Sequence, residues 1–202
     1  MRTFKFRSKR KKAPHPAPYP TTPPFTVSGG HRRRIAIPDK IHRYYIPLSV
    51  IKRTGEFIQR FGHEERECYV WWGGYFTADG NGQVVTALCP NVTTEYGHIS
   101  LDTRQLTTLH AKLRELDQVL LIELHSHPPG AGGQNAVDAA HPAVAYCGFV
   151  SIVVPDFGFP HFYDPRKAYV YEYIQENRWR ELTGAEIESR FVIEPAALEF
   201  EI

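Results

Sequence analysis

The sequence predicts an α/β (α+β) fold over residues 35–202, a mixed β-sheet flanked by helices. Two stretches, 47–62 and 102–116, repeat apolar residues at helical spacing. Between and after them lie short apolar or β-branched runs, each bounded by Gly, Pro, Asp or Asn. The two kinds of segment alternate along one chain without any internal repeat, which is how helices come to pack on the faces of a sheet.

The elements follow in order. In "PLSVIKRTGEFIQRFG" the residues Val50, Ile51, Phe57, Ile58 and Phe61 share one helical face, and Gly62 is a natural stop. "ECYVWWGGYF" is aromatic and β-branched and predicts a strand from about Glu67 to Phe76. The turn "TADGNGQ" leads into "VVTALCP", which makes a hairpin. In "SLDTRQLTTLHAKLREL", Asp102 is the N-cap and Leu106, Leu109, Leu113 and Leu116 form the buried stripe. "VLLIEL" predicts a fully buried strand, followed by a short helix reaching Gly148 and a second core strand, "FVSIVVP". "KAYVYEYI" predicts a later strand, whereas "RWRELTGAEIESRF" mixes strand and helix features.

Composition bounds the function. A hydrophobic content of 42% is ordinary for a soluble domain, and no apolar run approaches the length a spanning helix needs. The start, "MRTFKFRSKRKK", lacks the apolar segment of a secretory signal. Cys68, Cys89 and Cys147 are odd in number and far apart, as free buried thiols in a reducing, cytoplasmic compartment would be. The net charge of +2 hides an asymmetry: residues 1–34 hold ten Lys/Arg and no acid, leaving fourteen basic against twenty-two acidic residues beyond. Residues 1–34 therefore read as a basic, Pro-rich tail that cannot fold alone, solvated rather than a nucleic-acid patch.

The chemistry concentrates in "LLIELHSHPPGAGGQNAVDAA", residues 120–140. Side chains at i and i+2 of a strand point to one face, so His125 and His127 present both rings together at a strand's end. The prolines of "PPGAGG" stop the strand, the glycines permit a tight return, and Asp138 comes back on a following helix, sharing a face with Asn135. Two imidazoles and one carboxylate with a fourth position left for water are the ligands of a catalytic zinc site. A structural site closes that position with a Cys or His, and only His141 is nearby. His141 is read as a packing or ligand-supporting residue, with a helix starting just before Pro142.

His125-Ser126-His127-Pro128, six residues, Asn135, two residues, Asp138 resembles the metalloprotease motif of the JAB1/MPN/Mov34 family (MPN+, or JAMM). "ECYVWWGG", with Glu67 seven positions before Gly74, is similar to the family's first strand, and "GFVSIVVPDFG" to the strand after its metal helix. The likeness covers about residues 45–158. It implies a JAB/MPN, cytidine-deaminase-like architecture, Zn²⁺ held by His125, His127 and Asp138, and a water activated by Glu67 as general base. Glu65, which shares strand parity with Glu67, competes for that role, as does Glu64. The family's serine, an oxyanion donor, is Asn135 here; its amide can donate the same bond, or serve only as a helix N-cap.

Members of this family cleave peptide or isopeptide bonds at the C-terminal tail of ubiquitin or ubiquitin-like proteins. Bacterial relatives accompany E1- and E2-like enzymes, some in antiphage defence operons. The resemblance thus implies an isopeptidase or tail-processing peptidase whose partner is a ubiquitin-like protein or its conjugates, with the loop 91–100 as candidate flap. Two alternatives stand beside it. A non-catalytic MPN scaffold would lack ligands that are present here, and a zinc hydrolase for another substrate would use the basic tail as a tether.

Overall fold

The computed structural model describes residues 36–38, 41–90, 92–160, 162 and 164–195. The proposed division of the chain near residue 34 lies outside these residues. Within them the predicted mixed sheet with helices is found, as a mixed α+β fold with an eight-stranded sheet and, among the described residues, four α-helices. No helix among the described residues is long and apolar enough to cross a membrane.

The strands of the sheet are β1 (Tyr44–Pro47), β2 (Tyr69–Phe76), β3 (Gly82–Leu88), β6 (Val119–Ser126), β7 (Val150–Val154), β8 (Tyr169–Gln175), β9 (Arg178–Glu181) and β10 (Phe191–Glu194). A separate hairpin is formed by β4 (Thr93–Glu95) and β5 (His98–Ser100). The helices are α1 (Leu48–Gly62), α2 (Thr103–Glu115), α3 (Ala136–Ala140) and α4 (Gly184–Arg190). The order across the sheet is β10-β1-β3-β2-β6-β7-β8-β9. β2 runs antiparallel to both β3 and β6, while β6 and β7 are parallel, as are β1 and its neighbours β10 and β3.

Strand alternation divides the interior into two cores. On one face Val70, Trp72, Ile122 and Leu124 meet Ile51 and Ile58 of α1 and Ile187 of α4. On the other, Tyr69, Trp71 and Leu120 meet Leu109 and Leu113 of α2. α1 departs from its predicted stripe. Ile51, Thr54, Gly55, Ile58 and Gly62 are buried, whereas Phe57 and Phe61 are half-exposed and carry the guanidinium groups of Arg53, Arg60 and Arg66. Small residues take the inner face because the chain comes close: a Cβ on Gly55 would sit 2.9 Å from the Phe162 carbonyl. Thr54 pays its way there by accepting the Trp72 indole N–H at 2.8 Å while donating to Val50 O at 2.8 Å.

In α2, Asp102 caps the helix as expected, reciprocally with Gln105. Leu116 is exposed rather than buried, because the helix ends at Glu115 and Leu116 falls on its C-cap. α3 is much shorter than the helix expected to reach Gly148. The residue before a proline is pushed out of helical geometry, and His141 stands at φ −129, ψ 58 before Pro142. Pro142 therefore follows the end of a helix instead of opening one. Cys68 is buried, Cys89 half-buried and Cys147 exposed, so the expectation of buried thiols fails at Cys147.

Candidate metal centre

The last residues of β6 build the centre. β6 is paired with β2 on one side and β7 on the other, and its residues from Leu120 to His127 are buried. His125 and His127 leave it on the α2 face, 6% and 3% exposed. Both turn Nε2 to the same point, 3.1 Å apart. Between them Ser126 points the other way, and its hydroxyl accepts the Cys68 N–H at 2.9 Å while its own N–H donates to Cys68 O at 3.0 Å. That exchange holds the chain just past the last paired residues, Tyr69 and His125, and the charge of Glu67 in this segment acts on His127.

Asp138 arrives from α3. Its Oδ2 lies 3.4 Å from His125 Nε2 and 3.3 Å from His127 Nε2. Among the described residues these three form one group that could hold a metal ion. The His127 Nδ1 sits 3.2 Å from the Gly132 carbonyl. A carbonyl only accepts, so Nδ1 of the neutral ring carries the proton and Nε2 offers its lone pair to the centre. Gly132 (φ 77) and Gly130 (φ 78) stand in the left-handed region, which the returning loop requires and a side chain would oppose.

The electrostatics are those of a shared cation site. Burial would depress the protonated form of His127, but hydrogen bonding and charge from Asp138, then the charge of Glu67 and the Gly132 carbonyl, outweigh it and raise its pKa. Burial likewise pushes the Asp138 carboxyl up, yet bonds to His125 and His127 prevail and hold it well below the ordinary carboxylate range. The centre thus sets an ionised carboxylate against the Nε2 atoms of two buried rings.

The remaining candidates are placed as follows. Glu67 is buried at 5% exposure and acts electrostatically on His127. Glu65 is exposed in the turn after α1, with left-handed backbone at φ 53, and Glu64 is exposed and paired with Arg66. Asn135 is the N-cap of α3: its Oδ1 accepts from Val137 N–H at 2.7 Å and Asp138 N–H at 3.1 Å, while Asp138 Oδ2 accepts the Asn135 N–H at 2.8 Å. His141 is exposed, with Nδ1 2.9 Å from Val137 O, and is not grouped with the three ligands. Within the 91–100 segment, Thr93–Ser100 is a hairpin, whose tip places the Tyr96 ring edge-on to Phe157 at 5.8 Å. Phe157 in turn donates its N–H to His127 O at 2.8 Å.

Sequence reasoning missed one carboxylate. Glu123 lies two residues before His125 on the same face, 4% exposed, and accepts the Tyr69 O–H at 2.8 Å and the Ala143 N–H at 3.2 Å. Burial raises its pKa against those bonds. The parity it shares with His125 and His127 was the available signal.

No family model matches the sequence, and no curated protein does. Among solved structures, the chain is similar to the solution structure of a protein from Desulfitobacterium hafniense, with a TM-score of 0.54 and 15% identity over 75% of this chain and 93% of that one. It is also similar to a solution structure from Salinibacter ruber, with a TM-score of 0.46 and 16% identity over 69% and 88% of the two chains. At the first of these levels the likeness concerns the fold alone.

Proposed function

We propose that the chain is a zinc-dependent peptidase or isopeptidase of JAMM type, acting at the C-terminal tail of a ubiquitin-like protein. The observation that carries this reading is the triangle of ligand atoms. Around a tetrahedral zinc with bonds of about 2.0–2.1 Å, ligand atoms stand about 3.3 Å apart. The three separations here are 3.1, 3.3 and 3.4 Å. Nitrogen–nitrogen–oxygen donors suit zinc better than calcium or magnesium, which favour all-oxygen shells.

His125, His127 and Asp138 would hold the ion, which when bound supplies Lewis acidity toward water and a scissile carbonyl. Glu67, buried and near enough for its charge to act on His127, takes a proton from the attacking water and returns it to the leaving amine. Capping occupies Oδ1 of Asn135 and fixes its amide plane, so the NH₂ end is the group to stabilise the oxyanion. An extended tail cannot add beside the ligands themselves, because β6 is paired on both sides. The two-stranded β4–β5 hairpin, its tip against Phe157, offers the edge for a Gly-Gly segment. A JAB/MPN architecture accounts for the order of these elements, with the two-histidine strand and its carboxylate helix following a hairpin and helix α2.

Metal analysis of purified protein should find about one zinc per chain, lost in His125→Ala and Asp138→Ala. Glu67→Gln should keep the zinc and abolish cleavage of a ubiquitin-like fusion. Wild-type protein that takes up no zinc overturns the reading; a fully active Glu67→Gln moves the base elsewhere.

A further inference from the structure

Helix α3 brings the third ligand, yet beyond the Asn135 cap its own make-up does little to hold it. It is five residues long with none buried, and Val137 at its centre is 60% exposed. A single turn of helix has no independent stability in water, and this one has no apolar face to compensate. The support comes from the β8–β9 hairpin, about forty residues further on.

Two polar contacts bracket Asp138. The Tyr171 hydroxyl on β8 accepts the Gln134 N–H at 3.1 Å, just before the helix. The Trp179 indole N–H on β9 donates to Ala139 O at 3.0 Å, one residue past the ligand. Gly133 presses flat on the first contact: a Cβ there would come 2.0 Å from the Tyr171 hydroxyl and 3.2 Å from the Tyr169 ring. The second is held because the half-buried Trp179 ring packs on Tyr173 at 5.2 Å and on Phe149 at 6.2 Å, against the core. The hairpin that carries both is closed by Glu176 and Asn177, both at positive φ in the manner of a tight two-residue turn.

We propose that Tyr171 and Trp179 are positioning residues for Asp138, so that the β8–β9 hairpin sets how tightly the centre holds its metal. This rests on the metal reading above. Outer partners that orient metal ligands typically contribute about 10–100-fold to affinity.

The test is Zn²⁺ affinity of the full chain, measured by competition with a chromophoric chelator, for Tyr171→Phe, Trp179→Phe and Gly133→Ala. Trp179→Phe removes the N–H together with part of the indole that packs on Tyr173 and Phe149, whereas Tyr171→Phe deletes a single oxygen. Each variant should bind zinc about tenfold more weakly, and Tyr171→Phe should do so with urea unfolding of the metal-free protein little changed. A role confined to general stability would lower urea unfolding of the metal-free protein by as much as it weakens zinc, so the decisive comparison reads both quantities in Tyr171→Phe. Wild-type protein that binds zinc while the variants match it overturns the positioning role alone, as does a loss of affinity in Tyr171→Phe matched by an equal loss of metal-free stability. Wild-type protein that binds no zinc overturns the metal reading, and this inference with it.

Discussion

Asn135 can be asked which of its two chemical ends matters. As N-cap its Oδ1 satisfies two N–H groups of α3, and losing such a cap costs about 1 kcal/mol. A larger helix would absorb that loss. α3 buries none of its residues, so the cost falls on the fraction of molecules with Asp138 in place, and zinc affinity in Asn135→Ala should drop roughly fivefold. As oxyanion donor, the NH₂ end would be worth about 10²–10³ in kcat. Asn135→Asp separates the two, because aspartate caps as well as asparagine but cannot donate. It should bind zinc like the wild type and lose turnover, while Asn135→Ser should keep both. The assays are chelator competition and kcat at saturating zinc on a ubiquitin-like fusion. A fully active Asn135→Asp would show that the amide only caps, and unaltered zinc affinity in Asn135→Ala would refute the coupling between cap and ligand.

Two further outcomes follow from the same geometry. The raised His127 pKa makes protons compete with zinc, so affinity should weaken on acidification from above the ordinary histidine value of about 6.5, while Asp138, held ionised, contributes nothing to the slope. In the metal-free protein the His127–Asp138 pairing is complete below the unfolded histidine pKa and lost as pH rises through the folded one; thermal stability should therefore fall as pH rises above about 6.5 without zinc and rise with it, and parallel trends would contradict this assignment. Thr54→Val leaves the buried Trp72 indole N–H without its acceptor and should cost about 1–3 kcal/mol in urea unfolding with zinc affinity intact; a loss below about 0.5 kcal/mol would mean the bond contributes little.

What the sequence disclosed, it disclosed through local chemistry. Period-2 and period-3.6 patterns located α1, α2, β2, β3, β6, β7 and β8, and an apolar run ending in two histidines marked the centre. β1 and β10 went unread because four residues, "YYIP" and "FVIE", are too few to show a period; pairing makes them strands, β10 with β1 and β1 with β3 as well. In "RWRELTGAEIESRF" the cap was legible, since Thr183 and Glu186 form a capping box opening α4, yet the strand before it is fixed by pairing with β8. The difference between Glu65 and Glu67 needed the folded chain: one residue is in an exposed turn, and the other is buried with its charge acting on His127. Tyr171 and Trp179 carry no local sign of their task, because what they touch lies far back along the chain.

The pairing of β1 with β10 has a consequence for synthesis. Tyr44 leaves the ribosome 147 residues before its partner Phe191, which opens the last strand of the sheet in chain order. Until then one flank of β1 is an open hydrogen-bonding edge, so the sheet stays unfinished while all its other strands are made and is exposed to adventitious strand pairing. A nascent chain stalled before residue 191 should be the form that chaperones bind and that aggregates, even with the three ligands already made.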